Sequence, residues 1–194
     1  KQRFNADRLS AVLQWRVWLL IAIYSTLAVG TNASGAYFPK LIKQQFDYLT
    51  TSQIGLLSAL PHICAIVGMI VFSISSDRMN ERRGHLITAA LLAVIGWSLA
   101  AANISPVIAL VGLCIAQTGM MSMIPVFWTL PTAFLTGAAL AGGIAMINSV
   151  ANIGGVFAAT ILGTYGLWSM ALIHLAGAAL LIIVQENSAK ERTS

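Results

Sequence analysis

Two asparagines four residues apart, Asn148 and Asn152, stand in the otherwise apolar stretch GIAMINSVANIGG. On a helix that spacing puts both on one face. An amide side chain donates and accepts hydrogen bonds, so the pair suits a hydroxylated or carboxylated solute. Interhelical glue is the plainer role for such residues. A second polar group, Thr31, Asn32, Ser34 and Tyr37, lies in GTNASGAYFP, where Gly30 and Gly35 predict a loosened helix. His62 follows Pro61, and a histidine there suits either proton sensing or a hydrogen-bonded neutral imidazole. Gln117 and Trp128 share a later apolar run, and a buried indole N–H needs an acceptor that a substrate oxygen would supply. His174 has no polar neighbour at helical spacing and reads as structural. A Ser34–His174 hydrolytic dyad is rejected, because the serine lacks the glycine-flanked setting of a membrane protease nucleophile and sits on the wrong run. No catalytic residue is expected, and the chain does not read as an enzyme.

The charge is concentrated elsewhere. SSDRMNERRGH, from Ser75 to His85, holds Asp77, Arg78, Glu81, Arg82 and Arg83 between two uncharged apolar runs. The chain of 194 residues is 58% hydrophobic and 9% charged. Water-soluble domains carry about 25% charged residues, so this is a membrane protein. The net charge of +5 comes with no aromatic-rich basic platform, which excludes a nucleic-acid partner. Cys64 and Cys114 fall in different runs, without metal-ligand spacing, and read as small buried apolar residues. No metal or cofactor is expected.

A membrane helix needs about 20 mostly apolar residues. Six such runs are predicted, at 17–38, 53–75, 85–102, 106–133, 137–163 and 167–184, making an all-α polytopic bundle. Pro106 suits a first helical position, whereas Pro61, Pro125 and Pro131 fall inside runs and predict kinks. In the fifth run Gly137, Ala141, Ala145 and Ser149 recur every four residues and predict close helix packing. Every Asp, Glu, Lys and Arg lies outside the six runs. Of the 11 Lys and Arg, only Lys40 and Lys43 fall on the second side of the membrane. The positive-inside rule puts both termini and the 75–85 connector in the cytoplasm. Trp15 and Trp18 then anchor the inner interface and Trp168 the outer one. The expected organisation is a cytoplasmic linker at 1–16, the bundle at 17–184 and a cytoplasmic tail at 185–194. A start at Lys1, polar and basic, suggests the middle of a longer protein.

SSDRMNERRGH resembles the cytoplasmic signature of the major facilitator superfamily, roughly Gly-x-x-x-Asp-Arg-x-Gly-x-Arg-Arg. Asp77, Arg78, Arg82 and Arg83 match it. Ser73 replaces the first glycine and Asn80 the second, and asparagine tolerates the left-handed turn best after glycine. IGLLSALPH, SPVIALVGL, PVFWTLPTAFLTG and GIAMINSVANIGG are similar to the anion:cation symporters, on the tartrate, phthalate and nicotinate permease branch. The usual tyrosine is His62 here, and the loop before the last helix is short. The resemblance implies the C-terminal six-helix half of a twelve-span carrier in the cell's inner membrane. It implies alternating access around a central cavity and transport of a small organic anion such as a carboxylate, together with protons or another cation. Trp128 and Asn148 fall where substrate contacts are implied, with Asn152, Tyr37, Asn32, His62 and Gln117 as further candidates. The resemblance makes Asp77, Arg78, Arg82 and Arg83 a cytoplasmic gate, with Asp77 facing a helix N-terminus and an arginine. Further partners are membrane lipids and the N-terminal six-helix half, which must bring the cationic anion-binding group and the proton-carrying carboxylate. The competing reading is a non-transporting membrane scaffold, a pseudo-half that needs a partner half. A self-assembling channel lacks the charged ring it would need.

Overall fold

The computed structural model describes residues 14–184. The linker residues 1–13 and the tail 185–194 lie outside the described residues. Among those described, helix is the sole regular structure, in eight segments: α1 (Trp15–Gln45), α2 (Thr51–Met79), α3 (Arg83–Ala101), α4 (Pro106–Phe127), α5 (Thr129–Thr132), α6 (Gly137–Val156), α7 (Ala158–Tyr165) and α8 (Leu167–Ile183). With α4–α5 and α6–α7 each counted as one, five are long and apolar enough to cross a membrane. The sixth, α8, has 17 residues and is about 26 Å long. That is short of a hydrocarbon core of about 30 Å.

Local chemistry sets the boundaries. Thr50 and Gln53 form a reciprocal capping box at the start of α2, the Thr50 N–H donating to Gln53 Oε1 at 2.9 Å. Ser105 caps α4 by accepting from the Ile108 N–H at 3.2 Å, and Pro106 takes the first helical position. Asn80 ends α2 at φ 49°, the left-handed turn expected of it, and Asn103 does the same between α3 and α4 at φ 50°.

Three expectations need correction. The first helix does not stop at Phe38 but runs through Pro39 to Gln45. Pro39 lacks an N–H, so the Gly35 carbonyl loses its helical partner there. Phe38 and Ile42, both fully buried, pack the added turns against the bundle. Second, the fifth span is interrupted at Phe157 after the Gly154–Gly155 pair, whereas the break of the fourth at Trp128 follows the kink predicted at Pro125. Third, the small-residue row Gly137, Ala141, Ala145 and Ser149 does not pack the bundle, because Gly137, Ala141, Ala145 and Ser149 are all exposed. The buried row on α6 is Gly143, Ile147, Ala151 and Gly155, on a different face.

The tightest helix pair is α3 against α4. A Cβ placed on Gly119 would lie 2.5 Å from the Ala89 carbonyl oxygen and the Ala93 nitrogen. One placed on Gly112 would lie 2.6 Å from the Ala100 nitrogen. Backbones approach this closely because lipid supplies no hydrophobic drive between membrane helices, so dispersion across small residues does the work. α4 also packs on α2, α8 packs on α3 and α1, and α6 packs on α1. α1 is therefore enclosed, with 56% of its most apolar window buried, against 22% for α2 and for α6–α7. α2 and α6–α7 present open apolar faces, among them Ile63, Val67 and Ile70 on α2 and Ile153 on α6.

Candidate functional site

α1 and α6 run side by side, and glycines set their register. Gly154 rests on Ser25 and Val29, and Gly155 on the Ala28 carbonyl and the Asn32 amide. Asn32 Nδ2 donates to the Ala28 oxygen at 2.8 Å, and the Tyr37 hydroxyl donates to the Ala159 carbonyl oxygen at 3.2 Å. Ala159 lies in the first turn of α7, which restarts where α6 breaks at Phe157. Asn32 is exposed and Tyr37 half-buried, with the Lys40 ammonium 5.5 Å from the Tyr37 ring.

Asn148 and Asn152 stand together on the exposed face of α6, as their spacing predicts. Asn152 Nδ2 donates to the Asn148 main-chain oxygen at 2.7 Å and to its Oδ1 at 3.0 Å. The Asn148 amide N–H groups and the Asn152 amide oxygen stay available. The pair thus offers two donors and an acceptor in an apolar setting, without a charge.

Trp128 lies at the break between α4 and α5, half-buried. Its ring meets Tyr24 on α1 at 5.0 Å and Phe127 at 5.3 Å, and Tyr24 stacks on Phe127 at 4.9 Å. An aromatic cluster fixes the indole here, so Trp128 is not a free interfacial anchor. Tyr24 escapes a search for motifs, but a tyrosine inside an apolar run is itself a signal.

Two candidates lie apart from this α1–α6 face. His62 is exposed on α2, its Nδ1 donating to the Ser58 carbonyl at 3.1 Å and its ring 6.1 Å from Phe38. Gln117 is 1% exposed inside the bundle, with no partner for its Oε1. His174 is equally buried, its Nδ1 donating to the Met170 oxygen at 2.8 Å and its ring 6.5 Å from Trp97. It fits against Gly30, where an added Cβ would fall 2.5 Å from both His174 Nε2 and Met120 Sδ.

At the end of the bundle carrying residues 75–85, Arg82 Nη1 lies 3.1 Å from Asp77 Oδ1. Asp77 meets an arginine as expected, but the helix N-terminus belongs to Glu81. The Glu81 carboxylate accepts from the Gly84 N–H, from the His85 N–H at 3.2 Å and from His85 Nδ1 at 2.8 Å. His85 Nε2 reaches the Ser75 hydroxyl at 3.0 Å, and the Ser76 hydroxyl donates to the Glu81 carbonyl at 2.8 Å. Burial pushes the Glu81 carboxyl up, but the Gly84 N–H, the His85 side chain and N–H, and the charge of His85 outweigh it and hold it below its ordinary value. Arg83 Nη2 donates to the Ile182 carbonyl at the end of α8, while Arg78 is exposed in the last turn of α2. Motif matching does not single out Glu81, Ser75 or His85. An acid just before a helix start was the available signal for Glu81.

A bundle of apolar helices with a few neutral polar groups on open faces defines a multi-pass membrane protein. No family model matches the chain. It is 36% identical over 201 residues to a protein of Acinetobacter baumannii named quinolone resistance transporter, covering 99% of this chain and 46% of the relative. It is 36% identical over 184 residues to a protein of Agrobacterium vitis named for tartrate transport, covering 90% and 40%. The inner membrane transport protein RhmT of Escherichia coli is 31% identical over 204 residues, covering 100% and 47%. The chain belongs to the family of these transporters, the anion:cation symporter-like family of the major facilitator superfamily. It spans about half the length of the curated relatives it matches.

Proposed function

We propose that this chain forms the C-terminal half of a carrier that moves a small organic carboxylate, with protons, by alternating access. The observation that carries the reading is the neutral amide pair Asn148–Asn152, exposed on a helix that otherwise suits lipid. Polar groups kept on an open intramembrane face cost free energy unless something polar meets them. Names of relatives that refer to tartrate support a carboxylate as that partner. Asn148 and Asn152 would bind its oxygens, and Asn32 and Tyr37 would extend the same α1–α6 wall. The Tyr24–Trp128 cluster would close one end of the cavity. His62 would approach from α2, and Gln117 would contribute only by turning out of the bundle. None of Asn148, Asn152, Asn32 and Tyr37 carries a fixed charge, and the nearest one, the Lys40 ammonium, stands at the end of the wall beside Tyr37. The countercharge for the anion and the carboxylate for the proton would therefore come from the N-terminal half, docked on the open faces of α2 and α6.

Both termini would lie in the cytoplasm, since Arg78, Arg82 and Arg83 share one end of the bundle and Lys40 and Lys43 the other. The Asp77–Arg82 pair and the Glu81–His85 cap would then form the cytoplasmic gate. An exposed ion pair of this kind contributes about 0–1 kcal/mol, so it can break and re-form within a transport cycle.

The test is uptake of labelled C4 and aromatic carboxylates into proteoliposomes under an imposed pH gradient. Full-length parent protein is compared with its Asn148→Ala and Trp128→Ala variants. Losing a hydrogen bond to a charged group costs about 1.5–3 kcal/mol, roughly 10- to 150-fold in apparent affinity. Saturable uptake that weakens by that factor in Asn148→Ala supports the site. Unchanged uptake in both variants removes these residues from it, and no uptake by the parent supports the scaffold reading.

A further inference from the structure

Cys64 and Cys114 stand far apart in sequence, on α2 and α4, yet the fold sets them side by side. The two helices run parallel and in close contact, being alternate members of an up-and-down chain. Their register is fixed at Gly68, where a Cβ would press into the Thr118 side chain and lie 2.9 Å from Ser122 Oγ. One helical turn back from Gly68 is Cys64, and one turn back from Thr118 is Cys114. That register places the two thiols facing each other across the α2–α4 seam. Both are half-buried, at the edge of the seam rather than inside it.

The position in α2 matters as well. Pro61, three residues before Cys64, has no N–H, so the helix lacks one backbone hydrogen bond in that turn. α2 is therefore weakened one turn before the thiol pair, and its other face is open. Two thiols that face each other across so close a seam can reach disulfide geometry by side-chain rotation.

We propose that Cys64 and Cys114 are an oxidisable dithiol, converted by hydrogen peroxide into an interhelical disulfide that clamps α2 to α4 and arrests transport. One sulfur, as thiolate, attacks the peroxide O–O bond, giving a sulfenic acid and, after protonation, one water. The second sulfur attacks the sulfenic sulfur, forms the S–S bond and releases a second water. The two thiols lose two electrons and two protons, and the peroxide is reduced to two waters. Apolar surroundings disfavour the thiolate, so the reaction is slow and answers sustained oxidant exposure. A thiol reductant reverses it by exchange.

The arrest rests on the transport reading; the disulfide itself does not. Membranes containing the full-length protein are treated with hydrogen peroxide, or with copper–phenanthroline as a stronger oxidant. Free thiols are then blocked, and peptides are mapped by mass spectrometry without reduction. The expected product is a linked pair of Cys64 and Cys114 peptides, lighter by two hydrogen atoms than their sum. It is absent from Cys64→Ala and Cys114→Ser and cleaved by dithiothreitol. Carboxylate uptake is lost on oxidation, returns with dithiothreitol, and resists oxidant in both variants. Absence of the linked peptide under copper–phenanthroline overturns the proposal, and so does full linkage with undiminished uptake. If the reduced parent transports no carboxylate, the transport reading fails separately. The clamp is then judged by thermal unfolding, where equal midpoints for linked and reduced protein overturn it.

Discussion

Replacing Gly96 by alanine tests the α3–α4 seam most directly. The new methyl would fall 2.6 Å from both the Ala116 Cα and the Gly112 carbonyl oxygen, where ordinary contact begins near 3.4 Å. The obstructing atoms are backbone, so no rotamer change relieves them. The Ala116 nitrogen would lie closer still, so the helices would have to part by more than about 0.8 Å. A gap of about 0.5–1 Å already forfeits a quarter to a half of each dispersion contact along the seam. Ala93 and Ala100 on α3 and Ala116 on α4, all within 3% of full burial, would lose contacts together. Overpacking a tight core costs about 1–3 kcal/mol, and a backbone obstruction belongs at the upper end. For a domain of this size that lowers the unfolding midpoint by about 6–12 °C. Gly163→Ala is the matched control, because a Cβ there meets no heavy atom within 4 Å. It should be neutral or slightly stabilising through helix propensity. The assay is thermal unfolding of the full-length protein in detergent, followed by tryptophan fluorescence. Equal midpoints for Gly96→Ala and Gly163→Ala would refute the close-contact account.

Other outcomes follow from particular contacts. Glu81→Gln should loosen the start of α3, costing about 1 kcal/mol by analogy with a lost helix cap, seen as faster amide exchange at Gly84 and His85. The Glu81 carboxyl is held below its ordinary value, so its contribution is full above the ordinary carboxylate range. It is lost as pH falls through the lowered folded value, and exchange at the same amides should rise on acidification in the wild type but not in Glu81→Gln. Asn80→Gly should be tolerated and Asn80→Ala should destabilise by about 1 kcal/mol, because the residue sits at φ 49°; unfolding midpoints check this. Gly30→Ala should destabilise through its clash with His174 and Met120, and His174→Ala should partly rescue it in a double-mutant cycle; additive effects would contradict the contact.

Much of the protein follows from sequence alone. Apolar runs of membrane length, separated by charged or turn-forming connectors, dictate a helical bundle, because lipid offers the backbone no other way to satisfy its hydrogen bonds. Helix starts at Thr50 and Ser105 and the left-handed stop at Asn80 are local chemistry, legible from a few residues. So is the shared face of Asn148 and Asn152, which needs only the helical repeat. Contacts between distant segments were not legible. Nothing in the local sequence tells that Gly143, Ile147, Ala151 and Gly155 form the packing row of α6, while Ala141, Ala145 and Ser149 face outward; either row could pack. Gln117 and Asn148 are both amides inside apolar runs, yet one is sealed in the bundle and the other open, since burial depends on which neighbour covers each face. α1 passes Pro39 because burial of Phe38 and Ile42 outweighs the lost hydrogen bond. Cys64 and Cys114 are two unrelated thiols until Gly68 lets α2 settle against Thr118, and the register of two parallel helices then makes them neighbours.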